Sequence, residues 1–222
     1  MPQHRFILNF HGIGPPGREL TSGERSVWVE DAARFERILD FVKDENCCSL
    51  TFDDGNGSDY RIVFPALAAR GLKAQFFVVA GNVDLPGYLS RDQVQSLRRA
   101  GMKIGSHGMR HRPWTALDRG DLEEELFQAR GHLEHMAGVK VDEASCPFGQ
   151  YNRRVIRSLR DAGYRRIYTS DGGEAEPGAF LVSRNSVQNT WDIAAVRTLL
   201  SDTPNTVRRT WRRMKLWVKR WR

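Results

Sequence analysis

Residues 97–103 read LRRAGMK, and the same pattern returns at residues 67–73 (LAARGLK) and 159–165 (LRDAGYR). Each copy reads as the end of an amphipathic helix, a glycine, and an apolar residue that leads into a strand. Glycine suits this position because the C-terminal cap of a helix needs a left-handed backbone. The glycines are 30 and 62 residues apart, about one and two strand–helix units. The repeat predicts strands alternating with helices, which is typical of a parallel sheet or a barrel.

Apolar patterning and turn residues extend this interpretation along the chain. Strands are predicted at residues 5–10, 49–52, 74–79, 103–106, 143–146, 166–169 and 181–183. Helices are predicted at residues 29–43, 60–70, 90–100, 121–136, 152–162 and 191–200. Residues 14–28 are interpreted as a long loop that contains glycine and proline. We expect one domain over residues 1–205, followed by a basic tail over residues 206–222.

The composition excludes several classes of protein. The chain has 222 residues, of which 40% are hydrophobic and 27% charged, as in ordinary globular proteins. No apolar run approaches the roughly 18 residues that span a bilayer, and the first residues lack the apolar segment of a signal peptide. Three cysteines, Cys47, Cys48 and Cys146, make neither a disulfide framework nor a cysteine-based zinc site. We therefore expect a cytoplasmic protein.

The positive charge is concentrated in the tail. The chain has a net charge of +7, but residues 206–222 hold eight basic residues and no acidic one, which leaves −1 for residues 1–205. Apolar residues in the tail follow a 4-3-4-3 spacing that predicts an amphipathic helix: Val207, Trp211, Met214, Val218 and Trp221.

A basic amphipathic helix with tryptophans suits an anionic membrane surface, which would make the protein peripheral at the inner membrane face. The alternative is a terminal helix that packs its apolar stripe on the body. Nucleic acid is disfavoured as a partner because the nearly neutral body offers no basic face for a duplex.

Polar residues that could take part in catalysis or metal binding follow the predicted strands. They are His11 after the first strand, Asp53 and Asp54 after the second, His107 and His111 after the fourth, Phe148 after the fifth, and Asp171 after the sixth. All of them would emerge at the C-terminal ends of parallel strands, where barrel enzymes build their active sites.

One carboxylate and two imidazoles in this set could hold a metal ion. His107 and His111 are four residues apart, so they can converge on one ion from a helical turn or a tight loop. One oxygen and two nitrogen ligands match catalytic zinc, which keeps an open position for water, and also suit other divalent transition metals. Asp53 and Asp54 are adjacent and cannot face the same way, so one could bind the metal while the other serves as general base. Each motif alone could equally be a solvated turn or a pair of ordinary histidines.

Three motifs together resemble those of the polysaccharide deacetylases, carbohydrate esterase family four, with the NodB-homology domain. They are residues 51–55 (TFDDG), 107–111 (HGMRH) and 147–149 (PFG), and the resemblance covers roughly residues 5–200. It implies an α/β fold, a distorted (β/α) barrel, here with about seven parallel strands and the basic amphipathic helix at its C-terminus. It also implies metal-dependent removal of acetyl groups from sugars, usually N-acetylhexosamines.

By motif position, the resemblance makes Asp53 the general base and a metal-bound water the nucleophile. Asp54, His107 and His111 would hold the metal, and a backbone N–H near Phe148 would help to bind the oxyanion. We expect Zn²⁺ as the cofactor, with Co²⁺, Ni²⁺ or Mn²⁺ as alternatives.

Three departures from the family pattern affect these roles. Gly108 stands where the family usually has serine or threonine, which removes a loop hydrogen bond but no ligand. Ser145 stands where the third motif has the arginine that orients the base; Arg184 is the candidate replacement, and an ordinary surface arginine is the alternative. No histidine follows His135, so the histidine that protonates the leaving amine in the family is missing.

His11 is the candidate acid at the mouth, and Asp171 could orient or support the site. A weak acid would favour O-acetyl esters, because an alkoxide leaves without the obligatory protonation that an amine requires.

These observations predict a metal-dependent carbohydrate deacetylase, a hydrolase of non-peptide carbon–nitrogen bonds or of O-acetyl esters in polysaccharide or glycan metabolism. One alternative is a hydrolase of the same fold that acts on a small amide or a peptidoglycan fragment. The other is a catalytically inactive sugar-binding barrel, which the missing arginine favours and the complete set of base and metal ligands disfavours.

Overall fold

A parallel sheet forms the centre of the protein, whose computed structural model describes residues 5–45 and 48–201 together with residues 214, 216, 218 and 219. Its strands are β1 (Phe6–Phe10), β2 (Cys48–Asp54), β3 (Ala74–Val78), β4 (Lys103–Ser106), β5 (Glu143–Ser145), β6 (Arg166–Thr169), β7 (Leu181–Ser183) and β8 (Asn185–Ser186). They follow the order β7-β6-β5-β4-β3-β2-β1-β8, and every neighbouring pair is parallel.

The sheet nearly closes into a barrel because β7 and β8 belong to one extended segment. β7 pairs with β6 at one edge of the sheet, β8 pairs with β1 at the other, and Arg184 alone separates them. The backbone N–H of Arg184 donates to the carbonyl of Thr169 at 3.1 Å, so the pairing with β6 continues into this residue. The prediction of a distorted (β/α) barrel is confirmed, with eight strands instead of about seven.

Helices cover the outside of the sheet. They are α1 (Ser22–Val27), α2 (Ala32–Lys43), α3 (Phe64–Ala69), α4 (Arg91–Arg99), α5 (Arg119–Glu123), α6 (Ala129–Ala137), α7 (Arg153–Asp161) and α8 (Ile193–Ser201). Two π-helical segments, Asp59–Val63 and Glu124–Gln128, lead into α3 and α6. The interpretation of residues 14–28 as one loop is wrong, because α1 forms there with a capping box between Thr21 and Glu24.

Side chains along the strands alternate between the helical layer and the barrel interior. Phe10, Phe52 and Phe76 stack on neighbouring strands, with ring centroids 5.4 and 5.1 Å apart, and Phe35 of α2 packs edge-on against the first two. Thr51 lies on the opposite face, so Asp53, two residues further along β2, also points into the barrel. The period of two thus places a carboxylate at the inner end of a buried strand.

The tail prediction falls mostly outside the described residues. The predicted apolar stripe has three members outside the described residues: Val207, Trp211 and Trp221. Met214 and Val218 are described; both are helical, and they are 50% and 41% exposed. None of the helices formed by the described residues has the length and apolar character needed to cross a membrane.

The repeated glycines allow a stability test with a matched pair. Gly71 has φ +65° and open space around it, so Gly71→Ala should lower the free energy of unfolding by about 1 kcal/mol through backbone strain alone. Gly131 has equally open space but lies inside α6, so Gly131→Ala should raise the free energy of unfolding by about 0.5–1 kcal/mol. Urea denaturation measures both values. Equal effects of the same sign would contradict the assigned cap geometry.

Candidate metal centre and active site

The C-terminal ends of β2 and β4 bring one carboxylate and two imidazoles together. The Oδ1 atom of Asp54 lies 3.5 Å from Nε2 of His107 and 3.5 Å from Nε2 of His111. One potential ligand atom from each of the three side chains lies within 4.8 Å of the others. Two nitrogens and one oxygen in this arrangement can hold a divalent transition metal and leave a position open.

Backbone strain is concentrated at this group. Four non-glycine residues in the described part of the chain have positive φ: Asp54 (+77°), Asp84 (+69°), His111 (+53°) and Phe148 (+57°). Three of the four are candidate site residues. The left-handed backbone at Asp54 breaks the alternation of β2, which explains how two adjacent carboxylates reach the same site.

A hydrogen bond orients the imidazole of His107. Its Nδ1 atom lies 2.9 Å from the carbonyl oxygen of Ser145, and a carbonyl only accepts, so Nδ1 carries the proton. Nε2 is therefore left to face Asp54 as a ligand atom. A hydrogen bond from the ring nitrogen that does not bind the metal is the usual way in which a protein fixes the tautomer and direction of a metal-binding histidine.

The charges of the site fit a cation. Asp54 Oδ1 is buried and has no hydrogen-bond partner, a costly state for a carboxylate oxygen. Burial lowers the pKa of His107, but the carboxylates of Asp53 and Asp54 outweigh it and raise that pKa overall, so the site favours positive charge. Burial, followed by the neighbouring His107, lowers the pKa of His111 to about 4, which keeps it in the neutral form that ligates metals. The residues present therefore fit a divalent metal.

Arg184 forms a bidentate ion pair with Asp53. Nη1 lies 2.7 Å from Oδ1 and Nη2 lies 2.7 Å from Oδ2, and both side chains are buried. Ser145 completes the contact, since its hydroxyl accepts from Nη2 at 2.6 Å and donates to Asp53 at 3.1 Å. Burial raises the pKa of Asp53, but the guanidinium, followed by His107, outweighs this effect and lowers the pKa to about 2.

The barrel interior holds the guanidinium in place. Nη1 also donates to Asn9 Oδ1 at 2.7 Å, and the group lies over the rings of Phe77 and Tyr168 at 5.2 and 5.8 Å. Arg184 is completely buried, so it is not the surface arginine of the alternative interpretation.

The other predicted site residues are His11, Phe148 and Asp171, and they relate in different ways to the metal group formed by Asp54, His107 and His111. His11 acts electrostatically on Asp53 and Asp54, and its buried Nδ1 has no hydrogen-bond partner. Phe148 is 61% exposed, and its ring centroid lies 4.6 Å from that of His111. Asp171 lies at the rim of the mouth.

Three side chains hold Asp171 at that rim. It accepts hydrogen bonds from the hydroxyls of Tyr151 and Thr169, both at 2.8 Å, and it pairs with Lys219 at 2.6 Å. The ion pair brings Lys219 to the mouth of the barrel.

The comparison with known proteins decides the family. Residues 42–167, more than half of the chain, match the family model described as polysaccharide deacetylase. The chain belongs to the polysaccharide deacetylase family. The match includes Asp53 as the candidate base, the three candidate metal ligands and Phe148, whereas His11, Asp171 and Arg184 lie outside it.

Relatives of this deacetylase-family chain share sequence over its central part. It is 24% identical to the peptidoglycan-N-acetylglucosamine deacetylase of Bacillus cereus over 55% of its length, and 26% identical to chitin deacetylase 1 of Cryptococcus neoformans over 60%. The aligned parts cover 45% and 28% of those two proteins, less than half of each.

The fold extends further than the sequence match. Streptococcus pyogenes deacetylase PplD, solved in complex with acetate, superposes with a TM-score of 0.79 at 18% identity. The superposition covers 91% of this chain and all of that chain, which shows that the two share a fold.

Glu125 is a site residue that the sequence analysis missed. It is buried, and its carboxylate accepts the backbone N–H groups of Met109 and Arg110 at 2.9 Å each and the indole N–H of Trp114 at 3.3 Å. It therefore accepts hydrogen bonds from the loop between the two histidines. Gly108 has φ +83°, and a Cβ atom there would collide with Glu125 Oε2. Nothing in the acidic run at residues 123–125 distinguishes the buried glutamate from its neighbours.

The Gly108–Glu125 contact can be tested by restoring the residue type usual in the family. We expect Gly108→Ser to displace the loop and to weaken zinc affinity about 10–100-fold, the range found when outer contacts of metal ligands are lost. Gly120→Ser is the control, because its Cβ would have only Asp118 within 4 Å. Zinc titration measures both variants. Wild-type affinity in Gly108→Ser would contradict the role given to this contact.

Proposed function

We propose that this chain is a metal-dependent carbohydrate deacetylase, in which Asp54, His107 and His111 hold the metal and Asp53 is the general base. The observation that carries the proposal is the buried Asp54 Oδ1, which has no hydrogen-bond partner and faces the Nε2 atoms of both histidines. The family supports the reaction class, and the relatives named for peptidoglycan and chitin support an acetylated polysaccharide or glycan as substrate.

Zn²⁺ is the proposed metal, and Co²⁺, Ni²⁺ and Mn²⁺ suit the same ligands. When bound, the cation polarises the acetyl carbonyl and lowers the pKa of a coordinated water towards ~7.

The residues around the metal group have separate roles in this proposal. Asp53 accepts the proton of the attacking water, for which its low pKa keeps the carboxylate ionised. Arg184 and Ser145 are positioning residues, because they fix the direction of that carboxylate through short hydrogen bonds. The backbone N–H near Phe148 stabilises the oxyanion, at a point where the strained backbone fixes its direction.

His11 is the proposed acid for the leaving group. Its ring lies in the field of the two aspartates, and Nδ1 has no competing hydrogen bond. An acid at this position makes removal of N-acetyl groups feasible, and O-acetyl esters are the alternative substrates if His11 does not protonate the leaving atom. Asp171 supports the rim through Tyr151 and Thr169 and takes no part in proton transfer.

The proposed location is the cytoplasm, with the basic tail at an anionic membrane surface. Cys146 is a buried free thiol, which accords with a reducing compartment. Burial raises the pKa of the Cys146 thiol to about 12, so it remains protonated beside the site.

Metal analysis combined with acetate release tests the proposal. Wild type should bind about one zinc ion per chain; Asp54→Ala should lose it, because one of three protein ligands is gone. Asp53→Asn leaves the three metal ligands in place, so the folded variant should keep the metal and lose at least about 100-fold in acetate release. The same change removes the charge that compensates Arg184, so its free energy of unfolding is measured alongside. Panels of N-acetyl and O-acetyl sugars distinguish the two linkages.

Two results would contradict the proposal. Wild type that binds no metal after zinc loading would exclude the mechanism. Wild type that binds zinc and sugars but releases no acetate from any substrate would favour the inactive sugar-binding barrel.

A further inference from the structure

We propose that Arg61 forms an anion-binding subsite at the mouth of the barrel, which takes a carboxylate or phosphate group carried by the glycan substrate. The choice of a glycan rests on the proposed function, whereas the choice of an anionic group rests on the residues around Arg61. The preferred substrate would then be an acetylated glycan that carries negative charge on an adjoining sugar unit.

Three loops meet where this arginine lies. They follow β1, β2 and β3, and each contributes a glycine to the junction: Gly17, Gly57 and Gly87. The N–H of Gly57 donates to the carbonyl of Gly87 at 2.7 Å, and a Cβ atom at Gly17 would lie 3.7 Å from the Cα of Gly87. Because the three strands are parallel, the junction lies at their C-terminal ends, on the same side of the barrel as the metal group.

The guanidinium of Arg61 fits against this junction because the glycines have no side chains. A Cβ atom at Gly57 would lie 2.7 Å from Nη1, and one at Gly17 would lie 3.3 Å from Nη2. Gly57 follows the proposed metal ligand Asp54 by three residues, so their Cα atoms are at most about 11 Å apart. A glycan bound at the metal group can therefore reach Arg61 with an adjoining sugar unit.

A second arginine at the junction is already neutralised. Arg18 forms an ion pair with Glu24. Its Nη2 atom also donates to Asn56 Oδ1 at 3.1 Å, and its guanidinium lies 4.9 Å from the centroid of the Tyr88 ring. These contacts join the three loops to one another, so the junction is organised before a ligand binds.

Arg61, in contrast, is available to a ligand. The side chain is exposed, and its guanidinium makes no hydrogen bond or ion pair within the described part of the chain. The backbone N–H groups of Gly17 and Gly87 likewise have no acceptor among the described residues. A guanidinium without a carboxylate partner, next to backbone N–H groups that are free to donate, is suited to carboxylate and phosphate oxygens.

Disaccharide binding by the full-length, zinc-loaded protein tests the subsite. Calorimetry compares neutral di-N-acetylchitobiose, its 6′-phosphate, and a disaccharide of N-acetylglucosamine with glucuronic acid, which carries a carboxylate. We expect wild type to bind at least one of the two anionic probes at least about tenfold more tightly than the neutral probe, as a charge-assisted hydrogen bond allows. The probe that binds more tightly identifies phosphate or carboxylate as the recognised group. Equal affinity for all the probes would overturn the proposal.

Two charge variants assign the preference to Arg61. Arg61→Gln should abolish the preference for the anionic probe and keep the affinity for the neutral one. Arg98→Gln is the matched control and should keep the preference, because it removes an exposed arginine near the C-terminal end of α4, at the opposite end of the barrel. Contacts between the anion and zinc are the same in both variants, so the difference between them belongs to Arg61. Loss of the preference in both variants, or in neither, would overturn the proposal.

The position of the guanidinium has a test of its own. Gly57→Ala places a Cβ atom against Nη1, so it should displace Arg61 and reduce the preference at least about threefold as the hydrogen bonds to the anion lengthen. Gly23→Ala is the control, because its Cβ would have no atom within 4 Å. Urea denaturation checks that both variants fold. Equal preferences in the two folded variants would overturn the placement of the subsite.

The outcomes separate this inference from the proposed function. A preference for anionic disaccharides without acetate release would contradict the deacetylase proposal and leave the anion-binding subsite intact. Acetate release without any preference for an anionic probe would contradict the subsite alone.

Discussion

The buried ion pair between Asp53 and Arg184 connects the closure of the barrel to the chemistry of its mouth. Arg184 lies between β7 and β8, in the one extended segment that pairs with both edges of the sheet. From there its guanidinium crosses the interior and binds both oxygens of Asp53 on β2. Loss of either partner would leave an uncompensated buried charge, which typically costs about 3–5 kcal/mol. The contact that fixes the candidate base therefore also favours the closed sheet.

Three buried carboxylates near the site are accommodated in three ways. Asp53 is neutralised by Arg184, and Asp54 faces two imidazoles at the proposed metal position. Asp59 has no hydrogen-bond partner on either oxygen, and burial, followed by the charges of Asp54 and Asp53, raises its pKa well above the ordinary value. The raised pKa favours the neutral form of Asp59, which neither a guanidinium nor the two imidazoles compensate.

Local patterns predicted the alternating strands and helices of a parallel sheet or barrel, and the resemblance of the three motifs to a known family implied the barrel. Alternating apolar residues located seven strands, and the motifs TFDDG and HGMRH placed Asp54, His107 and His111 at strand ends that the structure brings together. The two-residue β8 was missed because so short a strand has no periodicity. The helix α1 was missed although its capping box, Thr21 with Glu24, is visible in the sequence.

Contacts between distant parts of the chain were harder to predict. Asn9 and Glu125 act on residues 44 and 16 positions away, and no local pattern marks them. Asn9 could have been found from its register, because it lies opposite Thr51 on the inward face of the neighbouring strand. Arg184 was a candidate only because Ser145 stands where the family's third motif has an arginine. The burial of Arg184, and the hydrogen bond that Ser145 donates to Asp53, depend on the closure of the sheet.

The most direct test of this account is the turnover number of Arg184→Lys. Lysine keeps the buried positive charge but cannot donate two parallel hydrogen bonds to Asp53, so the variant should fold and bind zinc like wild type. We expect kcat for acetate release to fall about 100-fold with little change in KM, because the base is displaced while substrate binding is retained. An unchanged kcat in folded, zinc-loaded Arg184→Lys would contradict the claim that the bidentate pair positions the base.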